Sequence, residues 1–404
     1  RRIASLCATS GCWLTLTGIG AILVLAHPQN APMRRPASLL PIAFGAFGLV
    51  WGAWQAVLPD LARHHGLTSG PLGVILTVGF AVALPSMLLI GRVVDRIGAG
   101  WGMAITAGAM AAGLAVVAAL GPLWVLVGGV VLLVAGSGAF DVAVNGAAMG
   151  DPGWSRPARM TLLHAAFSGG GVVGALGGGW IVAGSLPFAW TYPALAAVLA
   201  LVAVLGARSG WHAAPPEGGV PRAVALAMLP LAALAGLAFL AEGSMETWSA
   251  IYLRQELGAA AFVGALGPAA FHAAMLVGRL IGVGVAGTLG APATLLVGGL
   301  MTLAGMSVAL VVPVPALAIP GMAVAALGAS FVVPVVVSVA ARRAGRHAGR
   351  AASYVLSIGY AGFLVGPSLV GLLGELAGLR VALAVIPLAG AVILLASRTP
   401  AVRE

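Results

Sequence analysis

The chain repeats itself. Val50-Trp51-Gly52 through Arg63 aligns with Ala241-Glu242-Gly243 through Arg254, with Gly52 on Gly243 and Arg63 on Arg254 at an offset of 191 residues. The same offset carries Phe140 onto Phe331 and Arg159 onto Arg350. Each half must therefore solve a similar folding problem with a similar set of elements. Two apolar halves in tandem are the sequence mark of a secondary transporter, with the binding site at the seam between them. The disagreements between the copies carry the most information. Gln55 stands opposite Glu246, Trp51 opposite Glu242, and Asp141 opposite Val332.

The halves are too apolar for a water-soluble domain. Hydrophobic residues make up 61% of the 404-residue chain and charged ones 7%, too little charge to cover a soluble surface. The expected fold is all-α: a polytopic membrane protein whose spans need about 20 apolar residues each. Apolar runs between turn signals give twelve. Six lie in the first half: 38–58, 71–90, 101–120, 123–149, 159–183 and 187–207. Six more follow: 223–253, 260–282, 291–312, 315–340, 350–374 and 379–396. Residues 33–208 and 223–404 are thus expected to form two six-helix bundles. The stretch 209–222, with Pro215-Pro216-Glu217-Gly218-Gly219, is expected to link them on the cytoplasmic side. Residues 1–32 stand outside the repeat, and the first Met is Met33. They read as an extension upstream of the natural start, or else as a signal-like or additional apolar segment.

The net charge of +10 does not point to nucleic acid, because the arginines gather at span ends. One set of loops holds Arg34, Arg35, Arg92, Arg96, Arg156, Arg159, Arg208, Arg222, Arg279, Arg342, Arg343, Arg346, Arg350, Arg398 and Arg403, and the alternate set only Arg63, Arg254 and Arg380. The positive-inside rule then puts both ends of the twelve-span core in the cytoplasm. The only cysteines, Cys7 and Cys12, offer neither a disulfide framework nor a metal site. No cofactor or metal is expected.

The loop Gly91-Arg92-Val93-Val94-Asp95-Arg96-Ile97-Gly98 resembles the G-x-x-x-D-R-x-G signature of the major facilitator superfamily, at the place that family has it, between spans two and three. Gly278-Arg279-Leu280-Ile281-Gly282 reads as the second-half copy without its Asp. Further strings are similar to a bacterial branch related to fucose permease and to uncharacterised inner-membrane proteins. These are Phe140-Asp141-Val142-Ala143-Val144-Asn145, Met160 to Gly169, Glu242-Gly243-Ser244-Met245-Glu246-Thr247-Trp248-Ser249, and Gly359-Tyr360 to Pro367. The resemblance covers Met33 to the C-terminus. It implies the major facilitator fold in a bacterial inner membrane, with spans one, four, seven and ten around a central cavity. It also implies a monomer whose partners are a small-molecule solute, protons and membrane lipid.

Several polar residues sit where burial makes them expensive. Asp141 lies inside span four with Asn145 four residues on, on the same helix face. Such a carboxylate usually faces a water-filled cavity, where it can exchange a proton; the plainer reading is a polar contact that holds helices together. Glu242 and Glu246 form a like-charged pair one turn apart on span seven. These three are the candidate proton-coupling residues. Trp51, Trp54 and Gln55 on span one, Asn145, and Trp248 on span seven are candidate substrate contacts, since indole faces and amides suit a sugar or similar solute. The alternative for the tryptophans is core or interfacial packing. His164 and His272, the histidines well inside spans, join them as relay or binding groups, with interhelical hydrogen bonding the alternative. Asp95, Arg92 and Arg96 read as gating residues that pair across the bundles in one access state. Gly170, Gly174 and Gly178, each four apart, let another helix backbone approach closely.

The expected function is secondary active transport of a small polar solute by alternating access, coupled to protons. Proton-driven efflux of an apolar or cationic compound is the alternative, against which span five lacks the Gly-Pro pair of the drug/proton antiporter groups. An enzyme is not expected: the spans show no metal-ligand spacing, and no cysteine lies inside them.

Overall fold

The computed structural model describes residues 38–151, 153–154, 157–184, 186–212 and 221–402. The expected extension 1–32, with Cys7 and Cys12, and linker residues 213–220 lie outside the described residues. The first half comprises α1 (Leu39–His64), α2 (Ser69–Ile97), α3 (Ala99–Ala118), α4 (Leu123–Met149), α5 (Pro157–Ala183) and α6 (Thr191–Ala207). The second half opens with α7 (Arg222–Ile251), which runs on as a π-helical turn over Tyr252–Glu256. Ala261–Val311 is one helical run broken at Gly290, giving α8 (261–289) and α9 (291–311). The last three crossings are each interrupted: α10 (Pro315–Ser330 and Val332–Ala344), α11 (Ala348–Gly359 and Ala361–Ala377) and α12 (Leu379–Ala382 and Val385–Ala396).

Among the described residues, 11 helices are long and apolar enough to cross a membrane. One of them, Pro315–Ala377, has 63 residues. At about 1.5 Å per residue it is some three times the hydrocarbon thickness. It folds back at the 3-10 turn Gly345–His347 and supplies two crossings, so the twelve expected from the sequence are present. The fold is all-α, and α4 matches its expected limits of 123–149.

Several helix ends differ from expectation. α1 continues through Pro59 to His64, and α2 runs on to Ile97, because polar residues at a membrane surface need not end a helix. α10 breaks at Phe331, three residues before Pro334. A proline has no N–H to return to the carbonyl four residues back, so that of Ser330 loses its helical partner.

The reversals between α2 and α3 and between α8 and α9 use the same device. Gly98 (φ 91°, ψ 155°) and Gly290 (φ 74°, ψ 166°) sit in a region open essentially to glycine alone. Each is followed by alanine, Ala99 and Ala291. The second-half counterpart of the signature loop therefore ends at Gly290. The assignment of Gly278–Gly282 as that copy is corrected: Arg279 lies three helical turns before the reversal, about 16 Å into α8. It is not a loop arginine, and it leaves the loop set used for orientation.

The bundles are apolar on their outer faces as well as in their cores. Leu88, Leu89, Trp124, Trp180 and Leu376 are exposed on the outside, where lipid takes the place of water. Within the first half, α1 and α5 pack backbone to backbone, as the glycine spacing predicts. A Cβ placed on Gly170 would stand 1.9 Å from the Gly45 carbonyl oxygen, and one on Gly174 2.0 Å from that of Leu49. The halves meet along α5 and α8, α2 and α11, and α1 and α7.

Candidate functional site

The charged side chains in the middle of the spans gather with their polar neighbours between the halves. α4 supplies Asp141 and Asn145, α7 supplies Glu242 and Glu246, and α1 supplies Gln55. From α8 come His272 and Arg279, from α5 His164 and Ser168, and from α11 Tyr360. The Arg279 guanidinium is the common neighbour: it lies within electrostatic reach of Glu242, Glu246, Asp141 and Tyr360. It forms no direct ion pair with any of the three carboxyls. Its Nη1 instead donates to the His164 carbonyl oxygen at 2.9 Å and to Ser168 Oγ, and its charge lies 5.9 Å from the Phe167 ring centre. Across the seam, α5 thus anchors one edge of the guanidinium, and among the described residues Nε and Nη2 have no hydrogen-bond partner.

Asp141 is held on both oxygens. Asn145 Nδ2 donates to Oδ1 at 3.0 Å and to the Asp141 carbonyl at 3.0 Å. Tyr360, at the break in α11, donates its hydroxyl to Oδ2 at 3.0 Å. Gln55 and Glu246 occupy equivalent positions in the two repeats and lie side by side in space, which puts the axis relating the halves between α1 and α7. Gln55 Oε1 takes a 3.1 Å hydrogen bond from His272 Nε2. An amide oxygen can only accept, so this nitrogen of His272 carries the proton. Gln55 Nε2 stands beside Glu246, short of a closed hydrogen bond. Glu242, Gln55 and His272 are buried, whereas Asp141, Asn145, His164, Glu246, Arg279 and Tyr360 keep part of their surface accessible. The three carboxyls stand around one guanidinium between the halves. Together with it they carry a formal sum of −2, a charge that is costly at low dielectric.

Aromatic rings flank the cluster in both halves, Phe44 and Phe167 against His164, His272 and Arg279 and Phe239 against Tyr360. Phe44, Phe47, Phe140 and Phe167 pack together in the first half, and Phe239, Tyr360 and Phe363 in the second.

The Major Facilitator Superfamily model matches residues 39–314. The chain belongs to the major facilitator superfamily. It is 32% identical over 360 residues to an uncharacterized MFS-type transporter of Yersinia pestis, covering 84% of this chain and 89% of that one. A bacterial homologue of the human lysosomal transporter Spinster superposes with a TM-score of 0.70 at 15% identity, covering 90% of this chain and 96% of the other. The Escherichia coli fucose:proton symporter superposes with a TM-score of 0.61 at 17% identity, covering 89% and 97%. The protein is thus a multi-pass membrane transporter of bacterial type and not an enzyme.

Not every residue expected at the site of this superfamily member reaches it. Trp54 is buried against Tyr192 within the first bundle. Trp248 is wholly enclosed, with Nε1 donating to the Pro367 carbonyl at 3.1 Å between α7 and α11. Trp51 is half-buried on the Gln55 face of α1. Asp95, Arg92 and Arg96 are exposed at the arginine-rich end and make no ion pair among the described residues.

The opposite, arginine-poor end is tied shut between the halves. Asp60 on α1 pairs with Arg254 in the π-helical turn. Glu375 on α11 accepts the Gly70 backbone N–H at 3.0 Å at the start of α2, where a carboxylate suits the helix dipole. Thr77 bonds Ser368 one layer deeper.

Sequence reasoning missed Arg279, Tyr360 and Asp60. For Arg279 a signal existed: the Gly98-Ala99 and Gly290-Ala291 match places the reversal well past it. Tyr360 and Asp60 gain their meaning from helices distant in sequence and carry no local mark.

Proposed function

We propose that the protein is a secondary active transporter that moves a small polar solute across a bacterial inner membrane by alternating access, coupled to protons. The observation that carries this reading is the set of three carboxyls around Arg279 with no direct ion pair. Such a cluster changes its charge by taking up or releasing protons, and the free edge of Arg279 offers donors to solute oxygens. Asn145 and Gln55 supply amides beside it, Trp51 flanks it, and His164 and His272 tie the seam. Protonation removes buried charge and lowers the cost of closing the site around its contents. With Asp60–Arg254 and Glu375–Gly70 closing the arginine-poor end, this geometry supports a state open toward the arginine-rich end. We assign that end to the cytoplasm by its arginines, with Asp95, Arg92 and Arg96 forming cross-bundle contacts in the opposite state.

The test begins with a thermal-stabilisation screen of sugars, polyols, organic acids and organic cations at two pH values. The stabilising solute is then followed in proteoliposomes. Glu242→Gln is expected to retain solute counterflow and lose accumulation driven by a pH gradient. Full gradient-driven accumulation in Glu242→Gln and in Glu246→Gln alike overturns proton coupling at this site.

The formal sum of −2 also favours a second reading, proton-driven export of an organic cation. Here a cation replaces the protons on the same carboxyls. Stabilisation by cations alone, with uptake into inverted vesicles when their interior is acidic, selects it over the first.

A further inference from the structure

Resting on the transport reading above, we propose a division of labour within the cluster. The exchangeable protons sit on Glu242 and Glu246, while Asp141 stays ionised between its two hydrogen-bond donors, Tyr360 and Asn145.

The argument is one of donors. Asp141 receives an N–H on Oδ1 and a phenolic O–H on Oδ2. The Asn145 amide nitrogen is fixed in that direction because it also reaches the Asp141 carbonyl. The ionised carboxylate accepts both hydrogen bonds at once, whereas protonation on Oδ2 would require the Tyr360 contact to reverse, with the phenol oxygen accepting. Arg279 lies within electrostatic reach as well. No hydrogen-bond donor among the described residues reaches Glu242, and Glu246 has only Gln55 beside it.

The two glutamates stand four residues apart on one face of α7. Arg279 is the one fixed positive charge among the described residues that reaches them, and it faces Asp141 as well, so two ionised glutamates side by side leave net negative charge uncompensated. The other groups facing them are the uncharged Tyr360 of α11, Gln55 of α1 and His272 of α8, and His164 of α5 beyond Arg279. None brings a second fixed positive charge. Exchange is then simple: a glutamate O–H breaks, its proton passes to water at the site, and the carboxylate remains until a proton returns. Tyr360 and Asn145 act through Asp141 as positioning residues.

The experiment is infrared difference spectroscopy of the lipid-reconstituted protein on pH cycling, following the carbonyl stretch of protonated carboxyls. Unaltered protein is prepared with heavy carboxyl carbon in its aspartates or in its glutamates. The titrating band is expected to shift with labelled glutamate and stay fixed with labelled aspartate. Glu242→Gln and Glu246→Gln should each remove one of its two components. A band that moves with labelled aspartate overturns the assignment, as does one that moves with neither label. A glutamate band that survives alongside solute flux indifferent to a pH gradient leaves this assignment standing and defeats the transport reading instead.

Discussion

Asp60→Asn is predicted to loosen the arginine-poor end. Asp60 and Arg254 show side-chain exposures of 8% and 10%, whereas Arg63, the other partner of Asp60, is 61% exposed. The Arg63 contact is therefore worth little. Removing the carboxylate leaves Arg254 enclosed and unpaired. Breaking a fully buried pair costs about 3–5 kcal/mol, and an exposed one about 0–1. This pair lies at a membrane surface with slight exposure, so a value of about 2 kcal/mol is reasonable. The penalty falls only on the state in which the halves touch here. At about 1.4 kcal/mol per tenfold, it shifts the equilibrium about thirty-fold toward opening. A form populated at about 1% would rise to roughly a fifth. The assay is pulsed electron-spin distance measurement between labels at Ala119 of the first half and Gln255 of the second, both exposed near this end, with Cys7 and Cys12 replaced by serine. Longer distances should appear in Asp60→Asn and Arg254→Gln and recede in the swapped pair Asp60→Arg with Arg254→Asp. Unchanged distributions in both single variants would refute the latch.

Gly174→Ala should cost about 1–3 kcal/mol by overpacking, because its new Cβ meets the backbone of Leu49 and Ala53, which no rotamer change can move. Gly177→Ala, with nothing within 4 Å of its Cβ, is the matched control; equal melting temperatures for the two would sink the argument. Arg279→Lys keeps the charge but cannot bridge the His164 carbonyl and Ser168 while presenting a second edge. It should lower thermal stability by roughly 1–3 kcal/mol and abolish solute counterflow. Retained counterflow would remove Arg279 from the binding role.

Much of the architecture was legible because lipid imposes it. A chain that must satisfy each backbone group inside its own segment shows its crossings as apolar runs, and α4 could be read to the residue. The repeat supplied the pairing of halves, and glycines at four-residue spacing marked a close helix contact on α5, whose partner α1 only the structure identifies. The site was legible in its acids, since Asp141, Glu242 and Glu246 are conspicuous within apolar runs. It was not legible in Arg279, which resembles a loop arginine until the reversal at Gly290 is located. Nor could local spacing separate Trp51, on the Gln55 face, from Trp54, turned into the bundle against Tyr192. Three residues advance a helix by most of a turn, and only packing decides which side faces the seam.

The sequence by itself thus determined a membrane-spanning all-α chain in two related halves, with acids at a few inner positions. Hydropathy and repeat spacing are properties of neighbours along the chain. Tertiary structure alone decided that Arg279 stands among three carboxyls, that Tyr360 reaches Asp141 from the other half, and that Asp60 locks onto Arg254. Those meetings join different helices, and those of Tyr360 with Asp141 and of Asp60 with Arg254 span 219 and 194 positions. They depend on the rotation and tilt of whole helices, which no local pattern records.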